Sequence, residues 1–213
     1  MRPRTALGLA LRDLYQNSWR LVPVNAALGA ILVAVGVLAY AVHAALVLVV
    51  LAGPVAAALV HSSVTLVRSG NVALSDAFEG LRLHWRRGLA LGVIGAATLL
   101  FGIVAVRFYG GSTLGLPLAF VVVYLLVLTG IYQVVLWTLA IADAGRPLRE
   151  AARSAAQLAA FRPGATLLLG LALALVNVLG LAAALMPFLT ITVAYTFLAV
   201  ARYALPPETE EPA

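Results

Sequence analysis

Long stretches without a charged side chain alternate along this chain with short ones in which charges recur every few positions. Positions 21 to 67 hold no Arg, Lys, Asp or Glu over 47 residues. As a single helix this run would be ~70 Å long, more than twice a hydrocarbon core of ~30 Å. It therefore predicts a helical hairpin whose turn lies between positions 40 and 54. An even division turns the chain at Tyr40 to Ala45 and leaves Gly53-Pro54 to kink the second helix. A further charge-free run covers 88 to 106 and stops at Arg107, just before the turn-forming Gly110-Gly111-Ser112-Thr113. Positions 116 to 142 return. The run 163 to 201 is again too long for one span and is broken near Met186-Pro187. Six spans result.

Each hairpin is preceded by a segment of helical periodicity. In the first, Leu7, Leu11, Leu14 and Tyr15 share one face and Asp13, Gln16, Asn17 and Arg20 another. In the second, Leu74, Ala77, Phe78, Leu81 and Trp85 oppose Asp76, Glu79 and Arg86, with Asp76 and Glu79 at capping-box spacing. In the third, Leu148, Ala151, Ala152 and Ala155 oppose Arg149, Glu150, Arg153 and Gln157. The junctions Trp19-Arg20, Trp85-Arg86-Arg87-Gly88 and Phe161-Arg162-Pro163-Gly164 are alike, each placing an aromatic anchor and a cation where the chain enters the bilayer. The pattern predicts an all-α polytopic membrane protein: six transmembrane helices and three amphipathic helices on the cytoplasmic surface. A single domain spans 1–205, divided as amphipathic 5–20, hairpin 21–68, amphipathic 74–87, hairpin 88–142, amphipathic 147–161 and hairpin 164–202. An acidic tail, 206–213, is expected to be disordered. Small residues at four-residue spacing, such as Gly88, Gly92 and Ala96, offer close-packing faces.

Composition strengthens the membrane reading. Of the 213 residues 63% are hydrophobic and 10% charged, against roughly 45–50% and ~25% in soluble domains. The basic residues are all arginine, and with abundant alanine they suggest a GC-rich bacterial genome. Charge changes the picture more. Thirteen of the fourteen arginines fall on one side of the predicted spans and only Arg107 on the other. The positive-inside rule then puts both termini and the two long loops in the cytoplasm of a bacterial inner membrane. Trp19, Trp85 and Tyr203 are expected at the interfaces. The formal charge of +6 is explained by this topology rather than by nucleic acid, since no basic run or recognition motif carries it. Thr5 to Leu11 is interrupted by Arg12-Asp13, so no signal-peptide h-region forms and the N-terminus is expected to be retained.

Candidate chemistry is sparse. Without cysteine there is no disulfide, thiolate nucleophile or cysteine-ligated metal. No acidic residue lies in a span except Asp143 at the cytoplasmic end of the fourth, which disfavours proton or ion coupling. Asp143 is expected to pair with Arg146 or to cap the following turn. The histidines 43, 61 and 84 lack metal-site spacing; His43 is expected near the outer turn and His84 in solvent. His61, followed by Ser62, Ser63 and Thr65, is the most notable, yet an adjacent Ser points ~100° away on a helix and cannot be its nucleophile partner. Asn25, His61, Gln133 and Asn177, with Thr190 and Thr192, are the intramembrane polar groups, expected to hydrogen-bond between helices. No catalytic, cofactor-binding or metal residues are assigned, no cofactor is called for, and an enzyme is not expected.

The segments 53–68, 74–78 and 81–87 (LRLHWRR), with 147–163, resemble the YesL-like family of bacterial integral membrane proteins. The resemblance implies six spans, no known catalytic residues and an accessory or regulatory role beside carbohydrate ABC transporters. Asp76, Phe78, Trp85, Arg86, Arg87 and Asp143 are then the candidate contacts to such a partner at the membrane surface. The alternative is a small-solute transport component, the binding subunit of an uptake system, in which Asn25, Gln133, Asn177 and Thr192 converge on one cavity. A third and weaker idea is a membrane hydrolase centred on His61 and Ser63.

Overall fold

A computed structural model describes residues 2–205 apart from 184, without the side chains of 43–46; the expected acidic tail and the His43 side chain lie outside the described residues. It is all-helical, and among the described residues there is no strand. The α-helices are α1 (Pro3–Ala41), α2 (Ala52–Ser69), α3 (Leu74–Gly110), α4 (Leu116–Ala142), α5 (Leu148–Phe161), α6 (Pro163–Ala182) and α7 (Val193–Ala204). A 3-10 segment, His43–Leu51, leads into α2, and a π-helical segment, Phe188–Thr192, leads into α7. Five helical stretches are long and apolar enough to cross a membrane: α1, Val47–Ser69, α3, α4 and α6. The last, Phe188–Ala204, is shorter. Its 17 residues meet only the lower bound for spanning ~30 Å. Phe101, Phe108 and Phe120 point outward at 73–78% exposure, an arrangement that suits lipid and not water.

Local sequence accounts for the boundaries. Helix α1 joins the first periodic segment to the first span across a kink at Asn17 (φ −117°, ψ 18°). There the Asn17 amide donates to the Asp13 carbonyl at 3.1 Å, taking over part of the role of a backbone donor. Pro23 then withholds an N–H from the Trp19 carbonyl. The helix ends at Ala41, and Val42 is extended. The ring of Pro54, in the first turn of α2, obstructs the carbonyl four residues back, and 3-10 winding precedes it. Gly70 closes α2 at φ +73°, donating to the Leu66 carbonyl. The second periodic segment continues without a break into its span, so α3 is one helix of 37 residues. The third is separated from α6 by non-helical Arg162 (φ −137°, ψ 57°) ahead of Pro163.

The three sequence units are arranged cyclically. Helices α2, α4 and α7, the last of each unit, pack on one another at the centre. Each unit's leading helix packs on the last helix of the unit before it: α3 on α2, α5 and α6 on α4, and α1 on α7. Leu21, Leu59, Leu66, Leu136, Leu169 and Leu198 fill the core. Helices approach closely where glycine permits. Gly53 and Gly88 bring α2 and α3 into backbone contact, and Gly92 lies against Val50.

The structure shows which residues of each leading segment meet the bundle, a choice that periodicity left open. In the second, the inward stripe is Ala77, Gly80, His84, Gly88 and Leu91, while Leu74, Phe78, Leu81 and Trp85 are exposed. In the first, Ala6, Ala10, Asp13 and Leu14 are buried, whereas Leu11 and Tyr15 stand out. Small side chains allow close helix approach and displace the large apolar ones outward. In the third segment the buried residues, Ala151 and Ala155, belong to the apolar side.

Candidate functional site

At the arginine-bearing end of the bundle, α4 finishes against two guanidinium groups from neighbouring helices. Arg87 Nη1 donates to the carbonyls of Ala140 (2.7 Å) and Asp143 (2.9 Å), and its Nη2 to those of Ala144 and Arg146. Arg68 Nη1 donates to the Ala142 carbonyl at 2.9 Å. The last carbonyls of a helix are unpaired and carry its negative dipole end, so two cations satisfy both needs at once. Asp143 begins the turn that follows. Its Oδ2 pairs with Arg146 Nε at 2.9 Å, and its Oδ1 accepts the Gly145 N–H at 3.1 Å. Asp76 Oδ2 accepts the Ala73 N–H at 2.8 Å, so the capping contact runs from Asp76 back to Ala73 and does not involve Glu79.

Beside Arg87 the structure corrects the sequence reading of His84. The ring is 3% exposed, and its Nε2 lies 3.2 Å from Nδ1 of His61 on α2. Gly80 makes room for the pair, since a methyl group there would strike the His61 side chain. Whichever ring carries the shared proton, Nδ1 of His84 is left buried without a partner. Burial, then the neighbouring His61 and Arg87, lower the His84 pKa from 6.5 to about 4. The folded chain therefore binds fewer protons here than the unfolded one between those values, and stability should fall as the pH drops from 6.5 towards 4. His84→Gln should flatten that part of the profile. Thermal unfolding in detergent at pH 7, 5.5 and 4.5 checks it; parallel profiles for the two proteins would refute the assignment. Ser62 and Ser63 donate to the carbonyls of Ala58 and Leu59 on their own helix, and neither is engaged with His61.

The polar groups within the bundle are dispersed. Asn25, fully buried, donates to the Phe188 (3.0 Å) and Leu189 (2.7 Å) carbonyls and accepts the Ala194 N–H at 2.7 Å. Its amide is thus spliced into the π segment, supplying partners to the backbone groups that the wider winding frees. Asn177 Nδ2 donates to the Leu173 carbonyl and to Thr196 Oγ1. Asn177 also borders an apolar crevice of about 280 Å³ between α4, α6 and α7, whose wall includes none of Asn25, Gln133 or Thr192. Gln133 Oε1 and Thr192 Oγ1 are buried without partners. Asn25 and Asn177 are thus spent on helix contacts, away from any shared cavity.

Two contacts had no counterpart in the sequence reading. Asp13, placed on a polar face, is 9% exposed and forms an ion pair with Arg202 across α1 and α7, Nε to Oδ2 2.7 Å. Tyr203, expected at the interface, is buried, its hydroxyl 3.0 Å from that of Thr166. The inward spacing of Ala77, Gly80, His84 and Gly88 was the available signal for the His84 position.

On the outside, Phe78 and Trp85 are 69% and 46% exposed. Arg86 lies over the Trp85 ring at 5.2 Å, as Arg20 lies over Trp19 at 4.5 Å. Phe78, Leu74 and Leu81 border a groove of about 270 Å³ closed by Pro23 and Val24 of α1 and by Val55 and Ala58 of α2. Among the described residues no three His, Asp or Glu side chains group as a metal set requires. Comparison with protein-family models, curated proteins and solved structures finds no match to this chain.

Proposed function

We propose that the chain is a non-enzymatic, six-span protein of a bacterial inner membrane, with both termini cytoplasmic. Its arginine-bearing face docks a partner membrane protein, and a carbohydrate ABC transporter is the expected partner. The observation that carries this reading is the outward face of the second unit. Leu74, Phe78 and Leu81 border an apolar groove and Trp85 is exposed beyond it, while the small side chains of the same helix hold it to the bundle. Exposed residues of both signs lie along that helix, Glu79 beside Arg82 and Arg86, a mixture that favours a protein surface over a uniformly anionic one.

The small-solute reading is the weaker of the two, because Asn25 and Asn177 are occupied by helix contacts and the crevice beside Asn177 is lined by none of Asn25, Gln133 or Thr192. Affinity purification of the tagged full chain in mild detergent should retain a stoichiometric transporter permease. Phe78→Glu should lose it while eluting as the same folded species. A clean monomer from the native host, or equal recovery by the variant, would overturn the proposal.

A further inference from the structure

A second apolar crevice, of about 360 Å³, opens where the elbow between α5 and α6 meets α4. Tyr124, Leu128 and Tyr132 form one wall, Ala155, Ala159 and Pro163 the other. The small side chains of α5 leave the space, and the Tyr132 hydroxyl fixes its edge by donating to the Ala152 carbonyl at 3.0 Å. Tyr124 is 59% exposed at the rim. Arg162 sits at the elbow itself, between the α5 wall and Pro163, and is exposed with no ion-pair partner among the described residues.

Near the elbow the chain carries only the positive charge of Arg162. Helices α4 and α6 contain no acidic residue, and α5 has only Glu150, in its first turn at the end away from the elbow. The rim of the α1–α2–α3 groove, by contrast, mixes acids with arginines. An apolar slot whose lining residue Pro163 directly follows an exposed arginine, on a protein with helices apolar enough to cross a membrane, is complementary to an amphiphile carrying a negative head and a hydrocarbon tail.

We propose that the α4–α5–α6 crevice binds one acyl chain of an anionic phospholipid, with the lipid phosphate held by Arg162. The site shares no lining residue with the α1–α2–α3 groove and does not depend on partner docking there. Arg162 supplies a charge-assisted, two-pronged donor, and Tyr124 is placed beside the glycerol and ester region.

The test uses the purified full chain in nanodiscs, with native mass spectrometry counting retained lipid from equimolar phosphatidylglycerol and phosphatidylcholine. Retention should favour phosphatidylglycerol, and Arg162→Gln should lower that preference about fivefold, the effect of one arginine near an anionic surface. Ala159→Phe should abolish retention of either lipid by filling the slot. Arg4→Gln, on exposed α1, should change nothing. Equal retention of the two lipids by the wild type, or equal losses in Arg162→Gln and Arg4→Gln, would overturn the proposal. Because Arg162 is exposed, Arg162→Gln keeps the fold, which an unchanged unfolding temperature verifies.

Discussion

Gly88→Ala should destabilise the chain by about 3 kcal/mol, the upper part of the range for inserting a methyl group into a packed interior. A Cβ at position 88 would lie 2.6 Å from the Gly53 carbonyl oxygen and 2.9 Å from Pro54 Cα. These are backbone atoms, so no rotamer change relieves the clash and α2 and α3 must separate. Separation would in turn strain Gly92 against Val50 and loosen the His61–His84 contact further along the same pair of helices. Gly53→Ala should act alike from the opposite side. Gly170→Ala should be milder, because its methyl would meet the side chain of Ile131, which can turn away. Gly95 faces open space, and Gly95→Ala should be neutral or stabilising by up to ~1 kcal/mol. Unfolding midpoints of the four variants in detergent decide the matter; a Gly88→Ala value close to that of Gly95→Ala would refute the backbone crossing.

A comparable loss, about 3 kcal/mol, is expected for Asn25→Leu, which keeps the volume and removes the amide. Two carbonyls of the π segment and the Ala194 N–H at the start of α7 would then lose this partner in an apolar interior, at ~1–3 kcal/mol for each orphaned group, less than additively. Asn25→Asp should not rescue. It keeps an acceptor for the Ala194 N–H but turns an anionic oxygen towards the carbonyls of Phe188 and Leu189. Asn177→Leu should cost less, since Thr196 Oγ1 keeps its own bond to the Thr192 carbonyl. Amide hydrogen exchange at Ala194 gives a local readout: it should accelerate in Asn25→Leu and stay unchanged in Asn177→Leu. A loss below 1 kcal/mol with unchanged exchange would remove the structural role assigned to this amide.

Helices were readable from the sequence where physics acts along the chain, and obscure where it acts between segments. Charge-free runs mark long apolar helices because lipid tolerates few charges, and Gly, Pro and the arginines mark where those helices stop. Periodicity separated an apolar from a polar face in each leading segment but left open which of its residues meet the bundle. In a lipid-bathed bundle Phe78 and Trp85 lose little by facing outward, and Gly80 and Gly88 gain close approach. The pairing of His84 with His61, of Asp13 with Arg202 and of Tyr203 with Thr166 depends on register between separate helices, which no local spacing encodes. The same holds for Asn25, whose importance comes from a π segment more than 160 positions away. Asp143 was the exception, because its partners Arg146 and Gly145 are its neighbours in sequence.

The uninterrupted course of α3 has a mechanical consequence. The leading segments of the first and third units are uncoupled from their spans by the breaks at Asn17 and Arg162, but α3 runs as one rod of ~55 Å. It bears on α2 at Gly53 and Gly88, where backbone meets backbone and little can yield. The same helix meets α2 again at Gly80 against His61, and the 3-10 segment before α2 at Gly92 against Val50, so its surface end and its apolar end are carried by one long, close seam.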